Sequence, residues 1–284
     1  MTAQPSSRWS LFLAAPSLGV VLIFVVLPYA NILLMSVREP STTAVYGDGF
    51  TLDNYLKILL DPFYLWLLWR TFKIALVTVM ACIVLGYPVA LHLARTPSRT
   101  RSMLYALVLS PLLTGVVVRC FGWLVLLANN GAVNMLLADL GLPRLRLVYN
   151  EFGVIVACVH VFLPMMILPV MNTIQSIDPR YEEAARTLGA TPRQAFLRVL
   201  LPLSLPGVQS GAVLVFVLTA SAYVIPALLG GGRVQTMPTI VVEQLLGTLL
   251  WPSGAAIAIL LSIGIIVVLL LLLLPLRFAA RGVA

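Results

Sequence analysis

Two histidines, three cysteines and ten acids are the residues of this chain that could carry acid–base, nucleophilic or metal chemistry. None is spaced to do so. His92 and His160 lie in separate apolar stretches without an acidic neighbour, so no metal-hydrolase pattern exists. Cys82, Cys120 and Cys158 stand alone in apolar runs, without the CxxC spacing of a redox or zinc site. The only lysines are Lys57 and Lys73, and neither follows a glycine. A Gly-Lys-Ser/Thr loop that cradles nucleotide phosphates is therefore absent. No catalytic residue and no metal ligand is expected, and the chain is not expected to be an enzyme.

What must position these residues follows from composition. Of 284 residues, 61% are apolar and 10% charged, against roughly 45–50% and about 25% in soluble domains. The mean hydropathy is +1.03. A soluble fold of this length could not bury so much apolar surface, so a lipid bilayer must be the solvent. A water-soluble enzyme, a disordered chain and a disulfide-stapled secreted domain are excluded together. The net charge of +8 comes from basic residues scattered between apolar spans rather than massed on one face, so no nucleic-acid partner is expected.

A membrane span needs about 20 largely apolar residues, and six stretches qualify: about 11–36, 67–94, 103–127, 152–176, 205–229 and 253–276. The chain reads as an all-α, polytopic membrane protein forming one transmembrane domain over 1–284. The first stretch is too long for a signal peptide and no small-residue cleavage pattern closes it, so a retained anchor is expected. With the N-terminus inside, the inner segments hold Arg8, Arg95, Arg99, Arg101, Arg180, Arg186, Arg193, Arg198, Arg277 and Arg281. The outer loops hold only Arg38, Lys57, Arg144, Arg146 and Arg233. Both termini are thereby expected in the cytoplasm. The semi-polar outer segments 37–66, 128–151 and 230–252 are expected to form short surface helices.

The longest inner segment is 176–207, SIDPRYEEAARTLGATPRQAFLRVLLPLSLPG, with the loop proper at 177–204. Its punctuation predicts a helical hairpin. Asp178 can cap a first helix with Pro179 in its first position. Tyr181, Ala184, Ala185 and Leu188 then share one face, and Gly189 stands where a left-handed cap is wanted. Thr191 and Gln194 are spaced as a capping box for a second helix, expected to end before Pro202. A slim helical face bordered by Glu182, Glu183, Arg186 and Arg193 can enter a groove on a partner. A solvated amphipathic linker is the alternative.

Glu183-Ala184-Ala185, three residues, Gly189, nine residues, then Val199-Leu200-Leu201-Pro202 resembles the EAA signature of binding-protein-dependent ABC importer permeases. Val199 in place of isoleucine is the one departure. The segments TLDNYLKILLDPFY at 51–64, LGYPVALHLAR at 85–95, RCFGW at 119–123, ALLGGG at 227–232 and WPSGAA at 251–256 are similar to the spermidine/putrescine permeases of the PotB type. The resemblance covers about residues 50–260. It implies a type I importer permease fold of six transmembrane helices in the bacterial inner membrane. It also implies that the loop around Glu182, Glu183, Ala184, Ala185, Arg186, Gly189 and Pro202 is a coupling helix docking into ATPase subunits, present in two copies. ATP and Mg would be bound by those subunits and not by this chain. A second homologous permease, giving a heterodimer, and a periplasmic binding protein are the other implied partners; a homodimer is the alternative. The implied cargo is a small organic cation such as spermidine or putrescine, with amino-acid derivatives or opines as the alternative. A secondary transporter would need paired ionisable residues within the membrane or inverted halves, and neither is found.

Within the spans, Arg119 reads either as an anchor whose stem snorkels outward or as a cavity residue. Trp123 and Tyr223 are candidates for the translocation path, with core packing as the alternative. Gly207 and Gly211 have the small-xxx-small spacing of close helix packing, within the chain or across a subunit interface.

Overall fold

In hydrocarbon no water is available to backbone N–H and C=O groups, so a chain of this composition satisfies them helix by helix. The computed structural model describes residues 16, 19–20, 22–41 and 44–281, with the backbone alone at 98–99 and 272–281. Among the described residues the sole β pairing is one isolated antiparallel bridge, Arg38 with Phe50. The helices in chain order are α1 (Leu22–Ser36), α2 (Asp53–Leu60), α3 (Pro62–Arg95), α4 (Ser98–Leu109), α5 (Val116–Leu127) and α6 (Ala132–Asp139). They continue with α7 (Glu151–Ser176), α8 (Arg180–Thr187), α9 (Pro192–Ala220), α10 (Val224–Gly230), α11 (Met237–Val242) and α12 (Trp251–Arg281).

Among the described residues five stretches are long and apolar enough to cross a membrane: Pro62–Arg95, Val116–Asp139, Glu151–Ser176, Pro192–Ala220 and Trp251–Leu271. Of the expected first span, residues 11–15, 17–18 and 21 lie outside the described residues, as does Arg8; residues 22–36 form the shorter apolar α1. The segments expected to lie outside carry short helices at α2, α6 and α11, as their composition suggests.

Three expectations are corrected. The third span is not one rod over 103–127. Pro111 lacks an amide proton, and the Ser110 and Thr114 hydroxyls donate to the carbonyls of Leu107 and Pro111 at 2.9 and 2.8 Å. The coil tightens into a 3₁₀ turn at Ser110–Leu113, becomes extended at Thr114–Gly115, and restarts as α5. The fifth span, expected over 205–229, stops at Ala220 and restarts at Val224. Pro226 could not donate to Ala222 in a continuous helix, and its ring would meet that carbonyl. Conversely, the hairpin's second helix does not end before Pro202. A π turn at Phe196–Leu200, in which Leu201 N–H donates to Phe196 O, widens the coil just before the proline, and α9 runs on.

The chain divides into two compact units: residues up to 65 with 240–263, and 66–239 with 264 onward. In the first, buried Asn54 donates from Nδ2 to the carbonyls of Ser36 and Arg38 at 3.1 and 2.9 Å, which ties α2 to the end of α1. The Arg38 guanidinium lies 4.0 Å over the Phe50 ring.

In the second unit α7 is the central helix. One face packs Met166, Val170 and Ile174 with Ala75, Val79 and Cys82 of α3 and Val215 and Phe216 of α9. The other packs Ala157 and Cys158 with Cys120 of α5 and with Ile225 and Leu229 of α10. Lipid is as apolar as leucine, so close fit rather than apolar burial holds such helices together. A Cβ on Gly207 would lie 2.5 Å from Thr173 Oγ1 and 2.8 Å from Pro169 O; one on Gly211 would lie 2.7 Å from Met166 Sδ. The small-xxx-small pair thus seats α9 on α7 within this chain. Tyr87 and Ser204 share a buried hydrogen bond of 2.8 Å between α3 and α9. At the far end, Asn150 caps α7 by accepting from Gly153 N at 2.9 Å. Glu151 pairs there with Arg70 at 2.9 Å and Lys73 at 2.5 Å, while Arg70 also donates to Arg233 O at 3.2 Å.

Gly211→Leu should overpack the α7–α9 contact and cost about 1–3 kcal/mol. The thermal midpoint in detergent should fall by several degrees, whereas Gly122→Ala, where a Cβ meets nothing within 4 Å, should leave it near wild type.

Candidate functional site

The hairpin at 177–200 forms by the local signals that its sequence carries. Asp178 Oδ1 accepts from Arg180 N at 2.9 Å, closing the start of α8. At its end Gly189 has φ +88°. Gly189 N donates to Arg186 O at 2.9 Å and Ala190 N to Ala185 O at 3.0 Å, the double bond of a glycine-terminated helix. Thr191 and Gln194 then make the reciprocal capping box: Thr191 N donates to Gln194 Oε1 at 2.9 Å, and Gln194 N to Thr191 Oγ1 at 3.3 Å. Both ends of the four-residue connection are thereby fixed by hydrogen bonds. α8 also packs on the π turn of α9.

The structure separates the candidate residues of this hairpin. Glu183, Ala184 and Arg186 are exposed, Ala185 is half-buried, and Pro202 lies inside α9. Tyr181 is 60% and Leu188 89% exposed, so with Ala184 they leave an apolar strip on α8 and its C-cap that no described residue covers. Glu182 is different: its carboxylate accepts from Arg95 at the end of α3.

A second feature lies where the two broken spans meet α7. Leu112 and Val116, on either side of the first break, and Ala222 and Tyr223 of the second line a cavity of about 370 Å³, together with Arg119, Phe162, Met165 and Leu218 among others. Among the described residues, the buried Arg119 Nε and Nη1 find no hydrogen-bond partner, and no acid lines the cavity. Tyr223 lines the cavity; Trp123 does not, and instead meets His160 edge-on at 5.5 Å between ring centroids. Among the described residues no group of three His, Cys, Asp or Glu side chains could hold a metal ion.

Residues 102–278 match the family described as the binding-protein-dependent transport system inner membrane component. The chain belongs to this family. It is an ABC importer permease subunit. The permease is 34% identical over 247 residues to the spermidine/putrescine transport system permease protein PotB of Escherichia coli (strain K12), covering 86% of this chain and 90% of that one. Against the protein of the same name from Haemophilus influenzae it is 32% identical over 245 residues, covering 86% and 85%. Its fold matches a bacterial ABC transporter involved in import of the acidic polysaccharide alginate, with a TM-score of 0.73 over 95% of both chains at 19% identity.

The two helix breaks in the permease were not legible as such from hydropathy, although Pro111, Gly115 and the polar run Thr219–Tyr223 mark them in the sequence. Nor did any local signal announce Arg95 as a neighbour of the hairpin. Two outcomes follow for the permease. Gly189→Val should strain the hairpin by about 1–2 kcal/mol at its left-handed cap and speed protease cleavage within 177–191, while Gly189→Asn should stay near wild type. Arg119→Met should raise the thermal midpoint of the isolated chain by a few degrees, because a half-buried guanidinium whose Nε and Nη1 lack partners is removed; a fall would reveal a partner for the guanidinium.

Proposed function

We propose that this permease couples ATP hydrolysis in separate subunits to inward movement of a small organic cation of the polyamine class, spermidine or putrescine. The observation that carries the coupling is the uncovered apolar strip Tyr181–Ala184–Leu188 on a hairpin capped at each turn. Such a strip, bordered by Glu183, Arg186 and Arg193, suits insertion into a groove on an ATPase subunit, with the charges setting register. Stiff caps let a push on α8 reach the spans instead of being lost in the loop. ATP binding then biases a two-state alternation of access. The arginine distribution favours a hairpin and both termini in the cytoplasm. One permease offers one hairpin while an ATPase pair offers two grooves, so a sister permease completes the assembly, with residues 1–284 as one transmembrane domain and a periplasmic binding protein delivering the cargo. ATP and Mg belong to the ATPase.

The polyamine reading is supported by the PotB relatives. A second reading, a carboxylate-bearing amine such as an amino-acid derivative or opine, is favoured by Arg119, the charged residue of a cavity lined by no acid.

Leu188→Asp should reduce ATPase subunits co-purifying with the permease by about tenfold, the scale of an interface hot spot, without loss of membrane-inserted permease. Undiminished co-purification would refute docking through α8. Uptake of labelled putrescine into cells, abolished by ATP depletion and insensitive to collapse of the proton gradient, would support the polyamine import; competition by opines but not by polyamines would favour the second reading.

A further inference from the structure

α8 is joined in sequence to α7 and α9, yet its first turn is held by a third helix. Arg95, the last residue of α3, donates from Nη2 to Glu182 Oε1. The Arg95 side chain is 33% exposed and that of Glu182 17%, so the pair is partly withdrawn from water, whereas the neighbouring Glu183 is exposed. A carboxylate in the first turn of α8 also faces the favourable end of the helix dipole. Among the described residues this is the one ion pair between α8 and another helix. The remaining contacts of α3 show where a load taken up at Arg95 would go. Tyr87 bonds Ser204 of α9, Arg70 binds Glu151 at the start of α7, and the Thr71 hydroxyl accepts from Met237 N of α11 at 2.9 Å.

We propose that Arg95 is a positioning residue that latches the docking helix to α3 through Glu182, so that displacement of α8 is delivered to α3 as well as to its two sequence neighbours. This rests on the docking role of α8 proposed above and adds a third output to it. Without the latch, α8 would remain capped and able to dock, but α3 would follow its movement only through packing.

The test uses the assembled transporter, purified through this chain with its ATPase subunits, with spin labels at Trp69→Cys on α3 and Phe152→Cys on α7. Both positions are exposed, and the native Cys82, Cys120 and Cys158 are buried and do not compete for label. Distances between the labels are measured with and without a non-hydrolysable ATP analogue. In the otherwise wild-type complex the analogue should shift the distance distribution. Arg95→Glu, which leaves the hairpin itself untouched, should retain the ATPase subunits but cut the ratio of shifted to unshifted population by about fivefold, the upper end for a partly exposed ion pair, and Glu182→Arg should cut it likewise. The double exchange, Arg95→Glu with Glu182→Arg, should restore it, and Glu182→Gln should fall between. A full shift in either single variant overturns the proposal, as does an exchange that fails to rescue. Retained ATPase with no shift in the wild type overturns it too. A wild-type complex that does not retain the ATPase refutes the docking role itself, which separates the two failures.

Discussion

Backbone polar groups in hydrocarbon must find partners inside the protein, and the architecture of this chain follows from how that requirement is met and where it is relaxed. Along α3, α7 and most of α9 the helix meets it turn by turn, save where internal prolines such as Pro88, Pro164, Pro169 and Pro206 withhold a donor. At Thr114–Gly115 and Ser221–Tyr223 the regular coil is interrupted, and the requirement is met by local turns instead: the N–H groups of Thr114, Ser221 and Ala222 donate to the carbonyls of Pro111, Val217 and Thr219. Irregular backbone at membrane depth is tolerated where it is enclosed by protein or lines a cavity, and one cavity is lined by Ala222 and Tyr223 of the second break and by Leu112 and Val116, which flank the first. Two interruptions that look unrelated in sequence therefore serve one space, with α7 as its wall.

How much of this could be read from the chain divides cleanly by the range of the determining interaction. The hairpin was legible because its caps are local: Asp178, Gly189, Thr191 and Gln194 each act within three residues of their partners. The spans were legible because hydropathy is additive along a window. The breaks were less so, since Pro111 and Pro226 carry neighbours apolar enough to keep the window average high. Pro202 shows the converse. A proline that reads as a stop is passed because a π turn precedes it. The place of Trp123 against His160, and the salt bridge of Arg95 to a residue 87 positions away, depend on how helices pack and leave no periodic trace.

The two candidate sites also differ in kind. The hairpin presents surface that no described residue covers, with its shape fixed by hydrogen bonds. The cavity presents a charged group, Arg119, whose Nε and Nη1 find no acceptor among the described residues. Each is incomplete as an isolated subunit, in keeping with a permease that functions inside a larger assembly. Between them run α3, α7 and α9, linked by Tyr87–Ser204 and by glycines that bring α9 close to α7.

The π turn at Phe196–Leu200 also sets an angular phase. An α-helix turns about 100° per residue, so one extra residue in a coil offsets everything downstream by that amount. α8 packs against this turn, while Gly207 and Gly211 must point at α7. Removing a single residue from 196–200 would give a more regular helix by every local criterion, yet it would swing both glycines away from Thr173 and Met166 and put bulkier side chains in their place. The surplus residue acts as a clocking element, holding the base of the hairpin and the membrane face of α9 at independent settings within one continuous rod.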